Sequence, residues 1–299
     1  MTPLPIPYLI RTNNSTECSW RRKQSAANLH AKHSTNTSQK FSRRPPERES
    51  VSSRLLHGKD LKANLPERNF KLESASCAIT VVEGDALEAA HELSLRAPGN
   101  KVAILSMASE LRPGGGFLLG ANSQEESLCM RTTLYPSLPD AFYRLPEVGC
   151  IYTQDVCVFC GSYGVQDTSR NLKAKPDSVN PTVEWWFVDV ISCAAVRGPD
   201  LTDADAYADP AQRDLMREKI KCIFRAAALQ GCRRLVLGAF GCGAFGNPPK
   251  EVAALFKRVL LGREGSPRGG EFEGRFDEVV FAIKGGRRDT LPAFREIFE

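Results

Sequence analysis

With 299 residues, 42% of them hydrophobic and 25% charged, the chain has a globular composition and enough material to bury a core, which excludes a low-complexity or fibrous protein. Its net charge of +5 is concentrated in residues 1–46, where Glu17 stands against Arg11, Arg21, Arg22, Lys23, Lys32, Lys40, Arg43 and Arg44, so the remainder is near neutral and no direct reading of DNA is expected. No apolar run approaches the roughly eighteen residues of a membrane span, and the ten cysteines include no pair of CxxC knuckles; neither a membrane protein nor a metal module is expected.

Residues 1–74 are polar, with stretches such as Arg43-Arg44-Pro45-Pro46-Glu47-Arg48, and read as a basic, mostly disordered N-terminal segment with a short helix near Ser52 to Leu61. Its acid-poor start leaves a mitochondrial transit peptide open beside a plain tail, within an otherwise intracellular, cytoplasmic or nuclear, expectation. From Cys77 the pattern changes. Ala78 to Val82 reads as a strand, and Asp85 as the N-cap of a helix over Ala86 to Leu93. Val102 to Leu105 is a buried strand that leads into the loop Pro113-Gly114-Gly115-Gly116. Val183 to Ile191 follows as a strand, Pro210 to Leu229 as a helix opened by Asp209 and closed by Gly231, and Arg234 to Leu237 as a strand. A second glycine loop, Gly238 to Gly246, enters a helix with Asn247 as N-cap and Pro248 and Pro249 in its first turn. Phe276 to Ile283 and Pro292 to Phe298 complete an alternating α/β domain over residues 75–299 with a mixed, largely parallel sheet.

Both glycine loops follow a strand, where open α/β sheets bind ligands. Gly241-Cys242-Gly243-Ala244-Phe245-Gly246 exposes backbone N–H groups that suit a diphosphate, yet it matches neither the Walker nor the dinucleotide pattern. Tight turns are the competing structural reading. Behind the first loop come Gln124, Glu125 and Glu126. Adjacent glutamates usually mark a solvated helix face, but carboxyl groups beside a backbone cradle also suit glycosidic cleavage, which needs a proton on the leaving oxygen and a base for water. At a helix start the two side chains diverge by about 100°, so one would do chemistry while the other positions substrate. The helix dipole there favours the ionised form. A cysteine hydrolase using Cys129, Cys193 or Cys242 lacks an evident histidine partner, since His91 falls in a predicted helix.

Pro113-Gly114-Gly115-Gly116, Gln124-Glu125-Glu126-Ser127-Leu128, Thr133-Leu134-Tyr135-Pro136, Val188 to Ile191 and Val236 to Pro249 together closely resemble the signature of microbial-type poly(ADP-ribose) glycohydrolases, in order and with fitting gaps. The resemblance implies a macrodomain-like, three-layer α/β/α fold that binds ADP-ribose and poly(ADP-ribose) on modified proteins, acting as a monomer without a cofactor. It implies Glu126 as catalytic acid and base, and Glu125 and Gln124 as residues that hold the terminal ribose and order the loop. Gly114, Gly115 and Gly116 would line the distal ribose and the scissile bond. Gly241, Cys242, Gly243, Ala244, Phe245 and Gly246 would wrap the diphosphate, with Phe245 beside the ribose or as a plain apolar plug. Asp85 resembles the adenine-binding Asp of ordinary macrodomains, beside its reading as an N-cap. The chain departs from the family at Ser106-Met107-Ala108-Ser109, where Asn-Phe-Ala-Asn/Ser is usual, and at Phe240, where Trp is common. A mono-ADP-ribosyl hydrolase and a non-catalytic ADP-ribose reader are the alternatives.

Overall fold

An apolar strand without alternation belongs where both faces are covered, and Val102 to Leu105 is such a run. In the computed structural model, which describes residues 52–65, 77–159, 185–262, 270–285 and 289–299, the strand β3 (Val102–Met107) lies at the centre of a seven-stranded sheet. The other strands are β1 (Ser53–His57), β2 (Ala78–Glu83), β4 (Gly149–Val158), β5 (Trp186–Cys193), β6 (Arg234–Leu237) and β7 (Glu278–Ile283), in the spatial order β1-β4-β5-β3-β6-β7-β2. The pairs from β5 through β3, β6 and β7 to β2 are parallel; β1–β4 and β4–β5 are antiparallel.

The helices are α1 (Gly58–Ala63), α2 (Ala86–Arg96), α3 (Gln124–Arg131), α4 (Pro210–Leu229), α5 (Pro249–Leu261) and α6 (Thr290–Phe298). Successive β3 side chains point to opposite faces. Ala103 and Leu105 join Leu61, Ile220, Phe224, Phe256 and Phe294 from α1, α4, α5 and α6, whereas Val102 and Ile104 join Leu87, Leu93 and Leu128 from α2 and α3. The result is the expected α/β/α stack with a mixed sheet. Ser50–Phe117 and Ala121–Glu299 form one compact unit.

That unit begins upstream of residue 75. Instead of a helix over Ser52 to Leu61, Ser53–His57 pairs antiparallel with β4, from Ser53 opposite Thr153 to His57 opposite Gly149, and the helix starts only at Gly58 and buries Leu61. Five residues with two adjacent leucines carry no legible period, and the free edge of β4 supplies the pairing. Residues 1–51 and 66–76 lie outside the described residues, as does the predicted strand start at Val183 and Pro181 to Glu184 around it.

Asp85 caps α2, accepting the Leu87 N–H at 2.9 Å through Oδ1, while Oδ2 takes Arg131 of α3 at 2.7 Å and lies 3.2 Å from Lys284 Nζ. Both oxygens are thus engaged, and the cap reading describes the geometry better than the adenine-binding one. Burial opposes its charge, but the hydrogen bond and charge of Arg131, aided by Lys284, hold the carboxyl below its ordinary value of 3.8. A carboxyl with a depressed folded pKa contributes stability above its unfolded pKa and loses it as pH falls through the folded one. We expect Asp85→Asn, which keeps a cap and breaks the buried ion pair, to lower unfolding free energy by about 3 kcal/mol at pH 7 in urea titrations. The difference from wild type should shrink below pH 4.

Candidate active site

The first loop is fastened at both ends of its 16-residue span between β3 and α3. The Gln124 amide donates to the Leu105 carbonyl at 2.7 Å and accepts the Met107 N–H at 2.9 Å, so the first residue of α3 is tied to the carboxyl end of β3. Gly114 and Gly115 sit at φ +63° and +57°, the left-handed region glycine tolerates. Space is the second reason for glycine. A Cβ on Gly114 would stand 2.8 Å from the Tyr135 ring, one on Gly115 2.8 Å from both Glu125 Oε2 and Glu126 Oε1, and one on Gly116 2.5 Å from the Ala121 Cβ. The two carboxylates therefore converge on one point, the missing side chain of Gly115, although they project from adjacent helical positions.

Their environments differ. Glu126 occupies the N3 position of α3 and reaches back to its N-cap: it accepts the N–H of Ser123 at 3.0 Å, the Ser123 hydroxyl, and the Gly116 N–H at 2.7 Å. Burial opposes its charge, but the Ser123 hydroxyl and the N–H groups of Gly116 and Ser123 prevail and hold the carboxyl below its ordinary value. Glu125 is 2% exposed and accepts the Ser109 N–H at 2.8 Å, but its Oε1 is buried and has no hydrogen-bond partner among the described residues. Burial, against the Ser109 N–H and reinforced by the Glu126 charge, pushes Glu125 up to about 8. At neutral pH the resting site holds one proton, on Glu125, beside an ionised Glu126.

The second loop leaves β6, the strand next to β3, on the same edge of the parallel sheet. Its ends are held by Asn247, which is fully buried; the side-chain Nδ2 donates to the carbonyls of Val196 at 2.6 Å and Gly241 at 3.1 Å, and Oδ1 accepts the Tyr207 hydroxyl at 2.8 Å. Asn247 is thus not the N-cap of α5, which is Pro248; its amide closes the loop instead. Gly241 and Gly246 take φ +74° and +75°, and Cys242 is buried. Gly243 and Ala244 are exposed, and the N–H groups of Gly243, Ala244 and Phe245 make no hydrogen bond among the described residues. Open N–H donors on a turn are the groups from which anion-binding concavities are built.

Glu125, Glu126 and Gly114 to Gly116 are brought together as the sequence implies. Gln124 is near them, but its amide serves β3. Asp85 belongs to the α2–α3 contact. Ser106 lies wholly buried within β3 opposite Ser192, its hydroxyl without a partner among the described residues, while Ser109 supports Glu125 through its backbone. Cys129 has its thiol pushed up by burial and by the charges of Glu125 and Glu126, which disfavours it as a nucleophile, and His91 packs on Trp186. Sequence reasoning missed Glu110 and Arg197, which form a two-pronged ion pair at 2.6 and 2.8 Å, with the guanidinium 4.0 Å from the Phe245 ring centre. Charged residues separated by some ninety positions give no local signal; only the two flanking loops hint at them.

The family model described as "Microbial-type PARG, catalytic domain" matches residues 23–161. Among solved structures, poly(ADP-ribose) glycohydrolase from Thermomonospora curvata is 32% identical, with a TM-score of 0.67 over 82% of this chain and 85% of that one. The same enzyme bound to the inhibitor ADP-HPD gives a TM-score of 0.64 at 32% identity, over 82% and 84% of the two chains. The glycohydrolase from Deinococcus radiodurans in complex with ADP-ribose is 30% identical, with a TM-score of 0.62 over 83% of this chain and 94% of that one. A comparison with curated protein sequences finds no match. Fold, carboxyl pair and likeness together place the chain among the glycosidases. More narrowly, it belongs to the microbial-type poly(ADP-ribose) glycohydrolase family.

The raised carboxyl of Glu125 has a sign in stability. A group whose folded pKa lies above its unfolded one favours the folded state fully below the unfolded value, here the ordinary 4.5, and loses that contribution as pH rises through about 8. Wild type should therefore lose stability at about 1.4 kcal/mol per pH unit from this group inside that window. In Glu125→Gln, which keeps the shape without the charge, thermal melts from pH 5 to 9 should show a flatter decline, with its advantage over wild type greatest above pH 8. Parallel curves for the two proteins count against a protonated Glu125.

Proposed function

We propose that this chain hydrolyses the ribose–ribose O-glycosidic bonds of poly(ADP-ribose) and releases ADP-ribose, with Glu126 as the acid and base of the reaction. The observation that carries this reading is the convergence of two unlike carboxyl groups on Gly115, on the same sheet edge as a loop whose open N–H groups suit a diphosphate. Glycosidic cleavage passes through an oxocarbenium-like state that requires a proton on the leaving oxygen and then a base for water. One carboxyl can do both in turn.

Glu126 rests ionised, so substrate must first raise its affinity for a proton. A ribose covering it removes water, and the ligand's phosphates add negative charge nearby; both effects push a carboxyl upward. Glu125, protonated at neutral pH, offers its hydrogen to a ribose hydroxyl and adds no second negative charge beside Glu126. Gly114 to Gly116 let the sugar lie against the backbone, and Gly243 to Phe245 hold the diphosphate. Gln124 keeps α3 docked on β3 at the spacing this requires. The reaction uses carboxyl chemistry throughout.

We place the protein inside the cell, cytoplasmic, nuclear or mitochondrial, as a monomer without a membrane or DNA partner. Its eight described cysteines are free thiols, which suits a reducing compartment, and among the described residues no helix is long and apolar enough to cross a membrane.

The test is release of ADP-ribose from purified poly(ADP-ribose) by wild type and Glu126→Gln, with ADP-ribose binding measured for both. The variant should lose about 10²- to 10⁴-fold in rate, the usual worth of a positioned acid and base, while still binding ADP-ribose. Wild type that binds without cutting either the polymer or a singly modified protein would make the chain a reader.

A further inference from the structure

The diphosphate of an ADP-ribose ligand carries about two negative charges, yet Gly238 to Asn247 contains no cationic side chain. Open N–H groups can cradle phosphate, but neutral dipoles leave its charge unbalanced. Arg197 stands at the right place to balance it. It follows β5, Glu110 follows β3 and Phe245 follows β6, and these three strands are neighbours in the sheet with their carboxyl ends on one edge. Arg197 thus reaches from the loop on one side of β3 to the loop on the other. The main chain beside it is fixed to the second loop, because the Gly198 N–H donates to the Phe245 carbonyl at 2.8 Å.

We propose that Arg197 is the cation that receives the ligand's diphosphate, and that it exchanges Glu110 for a phosphate when ligand binds. This rests on the reading of the site as one for ADP-ribose. Three features support the exchange. The guanidinium lies over the ring of Phe245, in the middle of the loop that would wrap the diphosphate, and its side chain is 51% exposed. It has five N–H donors in a planar fork, of which Nε and one Nη2 donor are engaged with the Glu110 oxygens. Glu110 presents the same two-oxygen geometry that a phosphate offers to such a fork. In the resting protein the carboxylate neutralises a cation that would otherwise attract any anion, and a ligand must compete with it.

The alternative is that the Glu110–Arg197 pair is a strap that only holds the two loops together. The two roles predict opposite behaviour of Glu110. If Arg197 is shared between carboxylate and diphosphate, removing the Glu110 charge frees it, and ligand binds more tightly. If the pair is a strap, removing either partner loosens the loops and weakens binding.

The experiment is calorimetric titration of the full chain with ADP-ribose at low and physiological salt, for wild type, Arg197→Ala, Arg197→Lys and Glu110→Gln, with melting curves to confirm folding. We expect Arg197→Ala to bind about tenfold or more weakly, the loss fitting one charge-assisted contact. Arg197→Lys, which keeps the charge without the fork, should fall between, and Glu110→Gln should bind several-fold more tightly. Binding by wild type with Arg197→Ala unaffected, or with Glu110→Gln no tighter than wild type, overturns the Arg197 assignment alone. Failure of wild type to bind ADP-ribose overturns both this assignment and the reading of the site on which it rests.

Discussion

Everything in the site depends on the close approach of α3 to a backbone without side chains. The amide of Gln124 docks the helix start on the end of β3, and the absent Cβ of Gly115 leaves the space in which the carboxyls of Glu125 and Glu126 meet. A helix alone would hold these two side chains apart, as their positions on successive residues require. They converge because the loop returns between them and offers N–H groups from both sides, Ser109 to one and Gly116 to the other.

The same approach divides the labour between two chemically identical groups. Glu126 is surrounded by donors and stays charged; Glu125 has an oxygen without a hydrogen-bond partner among the described residues, and keeps its proton. Because the two charges are close, they titrate as a pair, and charging the second would set like charges together in a dry place. The capping geometry of α3 therefore has a double effect. It satisfies the first turn of the helix, and it decides which glutamate is ionised before substrate arrives.

Much of this was legible in the sequence because it rests on local spacing. The two glycine loops, the Gln124-Glu125-Glu126 triplet and the long helix opened by Asp209 are read from neighbours along the chain, and Pro210–Leu229 is reproduced residue for residue. What escaped depends on distant partners. β1 is a strand because β4 offers it an edge, and β4 itself hides its alternation behind a bulge between Thr153 and Val156. Asn247 looks like a helix cap, and it is the neighbouring carbonyls of Val196 and Gly241 that claim its amide instead. The Ser106 departure proves to lie in the sheet interior. The ionisation of the two glutamates in opposite directions is equally invisible, since both are buried and what differs is the set of donors that folding brings to each.

The two halves of the site have different anchors and are joined through the Glu110–Arg197 pair beside Phe245. The carboxyl pair hangs from β3 through Gln124, whereas the second glycine loop is tied through Asn247 to Val196 and Tyr207. A single methyl group on Gly115 would meet both carboxylates and leave the other loop as it is. Position 115 is thus a point at which the carboxyl pair can be disturbed without touching the Asn247 anchorage of the second loop.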